Sequence, residues 1–396
     1  MKIEYKKKKK TIQRAVLTVV LTILFFAGLI FGNSVPGEFA DFYCTRIFPY
    51  ISLPAQRFNM YFHFSLTENL VVIGIPLLAV SIIVWIVFLI RKLMSHGAKS
   101  YLYKSYRNLM ILGLVLLVIY QAMHGINYKR THVVKELDLI TKEELTFEDY
   151  CATLKWAYAG MIEARSHLGE DYNGVAHMTE SFENSATYAN SLIDAFAEKY
   201  DIPLSKNYVR AKPVSMSHYW SYTHIVGMYD PFLGEANINT DFMDITDYPA
   251  TLCHELCHTK GYASETDCNL LSALACCYSE RPDFRYAGFY DIFWKVYPIA
   301  SEIAEATDQV VPQYLATSEM DPVYRDMRAA LIYWNKIDSE VDAIYDKLGV
   351  NISEVSDSTN DKFLKSNGET GVDSYIVPDS IYVRFYLTYV DGIENA

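Results

Sequence analysis

Between Asp247 and Asn269 the chain reads DYPATLCHELCHTKGYASETDCN. It contains His-Glu-x-x-His. Two histidines four residues apart lie on one face of a helix, so His254 and His258 can converge on one metal ion. Glu255 projects beside them and can take a proton from water activated on that metal. A hydrolytic zinc site needs a third protein ligand and an open position. Glu265 follows shortly after and is the first choice for that ligand. Asp267 is its rival. Asn269, four residues beyond Glu265, shares its helical face and could orient a ligand from behind. The bland alternative is a helix that happens to carry these letters on a solvated face.

The local sequence supplies a way to position these groups. Asp247 suits a helix N-cap and Pro249 the first turn. Gly261 ends that helix three residues past His258. Ser264 then opens a second helix, with Asp267 in capping-box position. The turn at Gly261 would fold Glu265 back over the histidines. The flanking Asp247, Lys260, Glu265 and Asp267 exclude a motif buried in lipid.

Other chemistry is less sharply marked. Arg285, Tyr286 and Tyr375 are candidate oxyanion donors lying C-terminal to the motif. The upstream GEANINT reads as a short strand, and Ala236, Asn237 and Asn239 could bind an extended substrate along a sheet edge. The competing view is a structural strand whose asparagines close a turn. Five of seven cysteines lie in 253–277. No C-x-x-C pair appears, so buried thiols are expected, with one inter-helix disulfide as the alternative.

The wider chain has two unlike parts. Residues 1–124 hold 14 Lys/Arg against 4 Asp/Glu, while the whole chain of 396 residues carries net charge −12. The head is therefore basic and the body strongly acidic. An acidic body argues against nucleic acid as a partner. With 51% apolar and 21% charged residues, the chain is not disordered. Three charge-free runs, about 15–37, 69–90 and 108–128, are long enough to cross a bilayer. The third ends in Gln121, His124 and Asn127, which weakens it as a span. The lipid bilayer is thus an expected partner. Lysines crowd the N-terminal tip, and Arg91, Lys92, Lys99, Lys104 and Arg107 fill the second loop. Both should be cytoplasmic, leaving 129–396 outside the cell.

The expected domains are a membrane anchor, 1–128, and an extracytoplasmic domain, 129–396. The body should be mostly α with a minor β element. Helical periodicity marks Tyr150 to Met161 and Ala189 to Phe196. Loops and a short strand are expected over 225–245. Helices should dominate 249–349, followed by a loop with one or two helical turns over 350–373. A closing helix should begin near Pro378.

The pair HELCH and ExDCN resembles the gluzincin arrangement, and the short second helix resembles membrane-bound stress-type metalloproteases. The runs YWSYTHIVGMYDPFLGEANINTD and CHELCHTKGYASETDCNLLSALACC, with the later FLKSNGETGVDSY, are similar to a bacterial membrane-anchored family catalogued as domain of unknown function 3810. That resemblance implies a zincin-like fold, a Zn2+ cofactor and a bacterial plasma-membrane location. Asp267 stands where that family usually has Glu, and Cys257 where it has a small residue. The resulting expectation is a membrane-anchored zinc metallopeptidase acting on a peptide or protein substrate. The alternatives are a non-catalytic zinc-stabilised receptor or scaffold, and a hydrolase of a non-peptide envelope bond.

Overall fold

The structure is a computed structural model that describes residues 2–95, 97–141, 144–349 and 351–391. Its architecture is mostly α-helical, with one small sheet. Among the described residues three helices are long and apolar enough to cross a membrane: α1 (Lys2–Phe31) from Lys9 onward, α4 (Leu66–Met94) and α5 (Ala98–Met123). Their side chains are largely exposed, as leucine and isoleucine surfaces are when lipid is the solvent. Between the first two spans run α2 (Gly37–Arg46) and α3 (Phe48–Asn59).

The first and third spans differ from their sequence expectation at the ends that join the body. The first helix stops at Phe31 and not near 37, because a short 3-10 turn, Gly32–Ser34, leads to Pro36 at the cap of α2. The third stops at Met123 and not at 128, where a 3-10 turn, Gly125–Lys129, follows. The polar residues that ended the apolar run are used by the body. Asn127 accepts from the Cys44 thiol at 3.3 Å, and His124 is buried beside the sequence motif.

Beyond the anchor come α6 (Val133–Glu136), α7 (Phe147–Ser166), α8 (Phe182–Lys199) and α9 (Ser217–Ser221). Thr146 caps α7 with a full capping box, and Ser181 caps α8 through Asn184 N. Strands β1 (Lys212–Pro213), β2 (Gly227–Asp230) and β3 (Glu235–Ile238) form one sheet in the order β1-β3-β2. β1 runs parallel to β3, and β2 antiparallel. The helices α10 (Tyr248–Thr259), α11 (Glu265–Cys277) and α12 (Pro282–Thr307) pack with α7 and α8 around the main core. Then follow α13 (Asp321–Leu348), α14 (Ile352–Ser366) and α15 (Asp379–Tyr386), the last capped at Pro378.

One further expectation is corrected. The polar segment expected as a loop over 350–373 is a four-turn helix, α14. Asn351 caps it through Glu354 N, and its surface is polar because one side faces solvent. Residues on either side of the expected boundary at 128 also bind each other. Gln56 of α3 donates to Thr259 O at the end of α10, and Asn59 donates to Leu233 O and Gly234 O. Glu68, in the first turn of α4, accepts from Ser215 N and Met216 N. Glu235 of β3 accepts from Leu66 N and Thr67 N, the opposite end of the same device. Anionic side chains at a helix start neutralise its free N–H groups. The sheet and the second span therefore share one hydrogen-bond network.

Candidate metal centre

α10 and α11 meet at a tight turn. Pro249 lies in the first turn of α10, and Gly261 follows its end with φ +99°. That backbone conformation is strained for any residue with a Cβ. Arg130, fully buried, holds the turn from outside. It donates to Gly261 O at 3.1 Å and Pro203 O at 2.7 Å, pairs with Glu136, and lies 3.6 Å over the Tyr262 ring. Asp247 sits at the N-cap position, but its carboxylate accepts from the Thr251 hydroxyl and makes no cap bond to backbone. Ser264 likewise makes no side-chain cap bond.

The turn brings His254, His258 and Glu265 together. One ligand atom from each lies within 4.8 Å of the others, and all three residues are buried. The two Nε2 atoms are 3.2 Å apart, and Glu265 Oε2 is 3.0 Å from one and 3.5 Å from the other. Ligands at ~2.0–2.1 Å on a tetrahedral ion would be about 3.3 Å from one another. The other ring nitrogens are held from behind. His254 Nδ1 bonds Asn269 Oδ1 at 2.7 Å, and His258 Nδ1 bonds Tyr262 O at 2.9 Å. Both contacts require an N–H on Nδ1, so each ring in its neutral form presents the Nε2 lone pair to the common point. Two imidazoles and one carboxylate suit zinc.

Electrostatics couple the three groups. Burial favours neutral forms, but Glu265 overcomes it at His258 and raises that imidazole to about 9. Burial also opposes charge on Glu265, yet the attraction of His258 holds its carboxyl well below the usual range.

Glu255 is buried next to the cluster, and its Oε2 has no hydrogen-bond partner within the protein. Burial raises its carboxyl, with the two imidazoles pulling the other way. β2 crosses close above it. A Cβ at Gly227 would stand 2.6 Å from Glu255 Oε1, so glycine permits the approach.

The other predicted residues separate. Asn269 lies behind His254 and also donates to Tyr375 O at 2.6 Å. Tyr375 stacks on the His254 ring, centroids 6.3 Å apart. Asp267 turns away from the cluster. Its carboxylate accepts from Val133 N and pairs with His132 Nδ1, both at 2.9 Å, so it is corrected as a rival ligand. Two residues along a helix from Glu265, it faces another side. Tyr286 is also corrected as an oxyanion donor. It is fully buried, and its hydroxyl donates to Asp326, which pairs with Arg165. Arg285 pairs with Glu163 at 3.3 Å and covers Phe289. Both project from α12 toward α7 and α13. The substrate-strand reading of Ala236, Asn237 and Asn239 is corrected too. β3 is the central strand, so it has no free edge. Asn237 accepts from Ser65 Oγ, and Asn239 donates to Ser221 Oγ and Ile225 O. The edge strands are β1 and β2, and it is β2 that approaches Glu255, at Gly227.

All seven cysteines are free thiols. Cys253 and Cys276 approach to 3.9 Å between the two helices, and Cys268 packs 3.4 Å from His258 Nδ1.

Three residues near the cluster escaped the sequence reading. His124 stands 5.9 Å from His258 and 5.5 Å from Tyr229, ring centre to ring centre. Tyr229 stacks on His258 at 5.7 Å. The His124 Nε2 contacts Tyr128 Oη at 3.2 Å, while His124 Nδ1 and Tyr229 Oη are buried without partners in the protein. Burial pushes His124 down to about 3, so its ring is neutral. The available signal was a histidine in the tail of an apolar run. Only folding shows where that tail goes.

A family model described as Protein of unknown function (DUF3810) matches residues 43–377. No curated protein and no solved structure matches the chain.

Proposed function

The chain belongs to the DUF3810 family, and we propose that it is a membrane-anchored zinc metallopeptidase that hydrolyses peptide bonds at the outer side of the membrane. The observation that carries this reading is the convergence of His254 Nε2, His258 Nε2 and Glu265 Oε2, with the unpartnered Glu255 Oε2 beside them. His254, His258 and Glu265 would hold the zinc ion, with Asn269 and Tyr262 O fixing the imidazoles. Bound there, zinc supplies Lewis-acid polarisation of the substrate carbonyl and of water. Glu255 takes a proton from the attacking water and passes it to the leaving amide nitrogen. The C–N bond breaks, and a carboxylate and an amine result. A burial-raised carboxyl suits a group that must both take and give this proton. The free edge of β2 runs beside Glu255 and can pair with an extended substrate backbone. Tyr375 borders His254 and is the one of the three candidate donors adjoining the cluster.

Orientation rests on charge. Lys9, Lys10 and Arg14 precede the first apolar run, and five Lys/Arg lie over 91–107. The body then faces outward. The scaffold alternative needs a fourth protein ligand, and neither Asp267 nor Cys257 joins the cluster. A non-peptide envelope bond is separated from a peptide bond by substrate profiling.

The test is elemental analysis of the full chain with a hydrolysis assay. One zinc per chain should be lost in His258→Ala. Glu255→Gln should keep the zinc and lose hydrolysis by about 10²–10⁴-fold. Equal activity in Glu255→Gln would refute the mechanism. A reporter at the C-terminus that works only in the cytoplasm should be silent.

A further inference from the structure

The metal cluster lies where the anchor leaves the bilayer. The charge-free run of the third span begins after Arg107, and a bilayer core needs about 20 residues of helix. The span must therefore use essentially all of α5 up to Met123, with Lys104 and Arg107 snorkelling at the other end. His124 is the next residue, and its ring touches the His258 ring edge-on. The second span gives the same level independently. Its charge-free run starts directly after Glu68, which is bound to Ser215 N and Met216 N of the body. The first span leaves only a 3-10 turn before α2 packs against Gly125–Lys129. No stalk separates site from membrane.

The surroundings fit that position. Phe58, Tyr61 and Phe64 are exposed just before α4 begins. Tyr120, inside the third span, donates to Asn367 Oδ1 at 2.6 Å, and its ring contacts Phe363 and Phe232. Phe232 and Phe363 are themselves exposed, as are Val372, Tyr375 and Ile376 along the segment that leads to His254. Exposed aromatic rings at the level of a span's end favour the polar–apolar boundary of a bilayer. The border of the metal cluster is thus continuous with surface suited to the membrane interface.

We infer that the substrates are polypeptides held at the outer membrane surface by a span or a lipid, cut close to where they leave the bilayer. This rests on the metallopeptidase reading. A chain leaving the bilayer beside α5 reaches the cluster after few residues, because an extended residue covers about 3.3–3.6 Å. The scissile bond therefore falls within about ten residues of the bilayer. Confinement to the same surface also raises the effective concentration of such a substrate over a dissolved one.

The test reconstitutes the full chain in phosphatidylethanolamine–phosphatidylglycerol vesicles. The probe is a library of unstructured segments of randomised sequence, presented in three ways. One set is fused directly to a transmembrane helix. A second is raised from that helix by a folded spacer domain. A third is free in solution. New termini are mapped by mass spectrometry, with Glu255→Gln as the blank. The expected result is cuts concentrated within about ten residues of the bilayer, and at least about tenfold more of them in the first set than in the others. Equal cutting in all three sets, or cuts scattered evenly along the first, would overturn the inference while leaving a peptidase. Absence of Glu255-dependent cuts from every set would remove the peptidase reading itself.

Discussion

The imidazole of His124, one residue past the third span, stands edge-on to that of His258 with ring centres 5.9 Å apart and planes at 71°. The anchor thus ends inside the candidate metal centre. It is part of the site's wall as well as its tether, and this bears directly on how the protein can be divided.

Residues 129–396 expressed alone should not form the native body. That piece lacks Gln56, Asn59, Thr67 and Glu68, which satisfy polar groups on β1, β3, α10 and the segment before α9. It also lacks Phe48, which packs on Gly261. Each buried polar group left unpaired costs about 1–3 kcal/mol, and several together approach a domain's whole stability. Circular dichroism melts and zinc analysis of fragment and full chain check this. A cooperative melt with full zinc in the fragment would refute it.

Gly227→Ala should damage hydrolysis more than stability. The new Cβ would meet Glu255 Oε1, Cγ and Cδ at 2.6, 2.7 and 2.9 Å, so the carboxylate must move. A misplacement of about 1 Å costs on the order of 10²-fold in rate. Zinc content and the melting curve should stay close to those of the parent, and kcat should fall.

Glu235→Gln should destabilise strongly. Lys212 and Glu235 are fully buried and 2.5 Å apart, and the ammonium's other partner is Asn59 O. Removing one charge strands the other, at about 3–5 kcal/mol. Replacing both by apolar residues of similar volume should cost less, since no lone charge remains. Thermal melts of the single and double variants in detergent decide between these outcomes.

α13 is pinned to the 217–247 segment by a pH-sensitive contact. His218 lies between Asp241 and Glu340, at 2.8 and 2.9 Å, with Tyr222 and Lys336 also near Glu340. The hydrogen bond to Asp241 leads in raising the His218 pKa. A raised folded pKa means stability that is complete below the ordinary histidine value of about 6.5 and lost as pH climbs through the folded value. Amide exchange in α9 and α13 should therefore quicken, beyond its intrinsic rise, as pH goes from about 6 to 9. His218→Gln should remove that excess pH dependence.

Much was legible in the letters because it depends on neighbours along the chain. Helical period puts His254 and His258 on one face, Gly261 stops the helix, and charge-free runs mark the spans. The α14 helix was misread because its polar surface resembles a loop until its Asn351 cap and packing side are seen. Asp267 could not be told from Glu265 by residue type, since either acid binds metal. The difference is His132 and Val133, which claim Asp267 from 135 and 134 residues away in the chain. Similarly, GEANINT shows a strand but not whether it is an edge. That depends on Lys212–Pro213 and Gly227–Asp230 pairing on both sides of it. Sequence alone determined the histidine pair on one helical face, the turn that follows it and the membrane-spanning runs, for these follow from spacing and composition. Tertiary structure alone decided which acid faces the histidines, which strand is central, and that His124 of the third span's tail packs on His258. Those outcomes depend on long-range contacts, and no local pattern encodes a partner more than a hundred residues away.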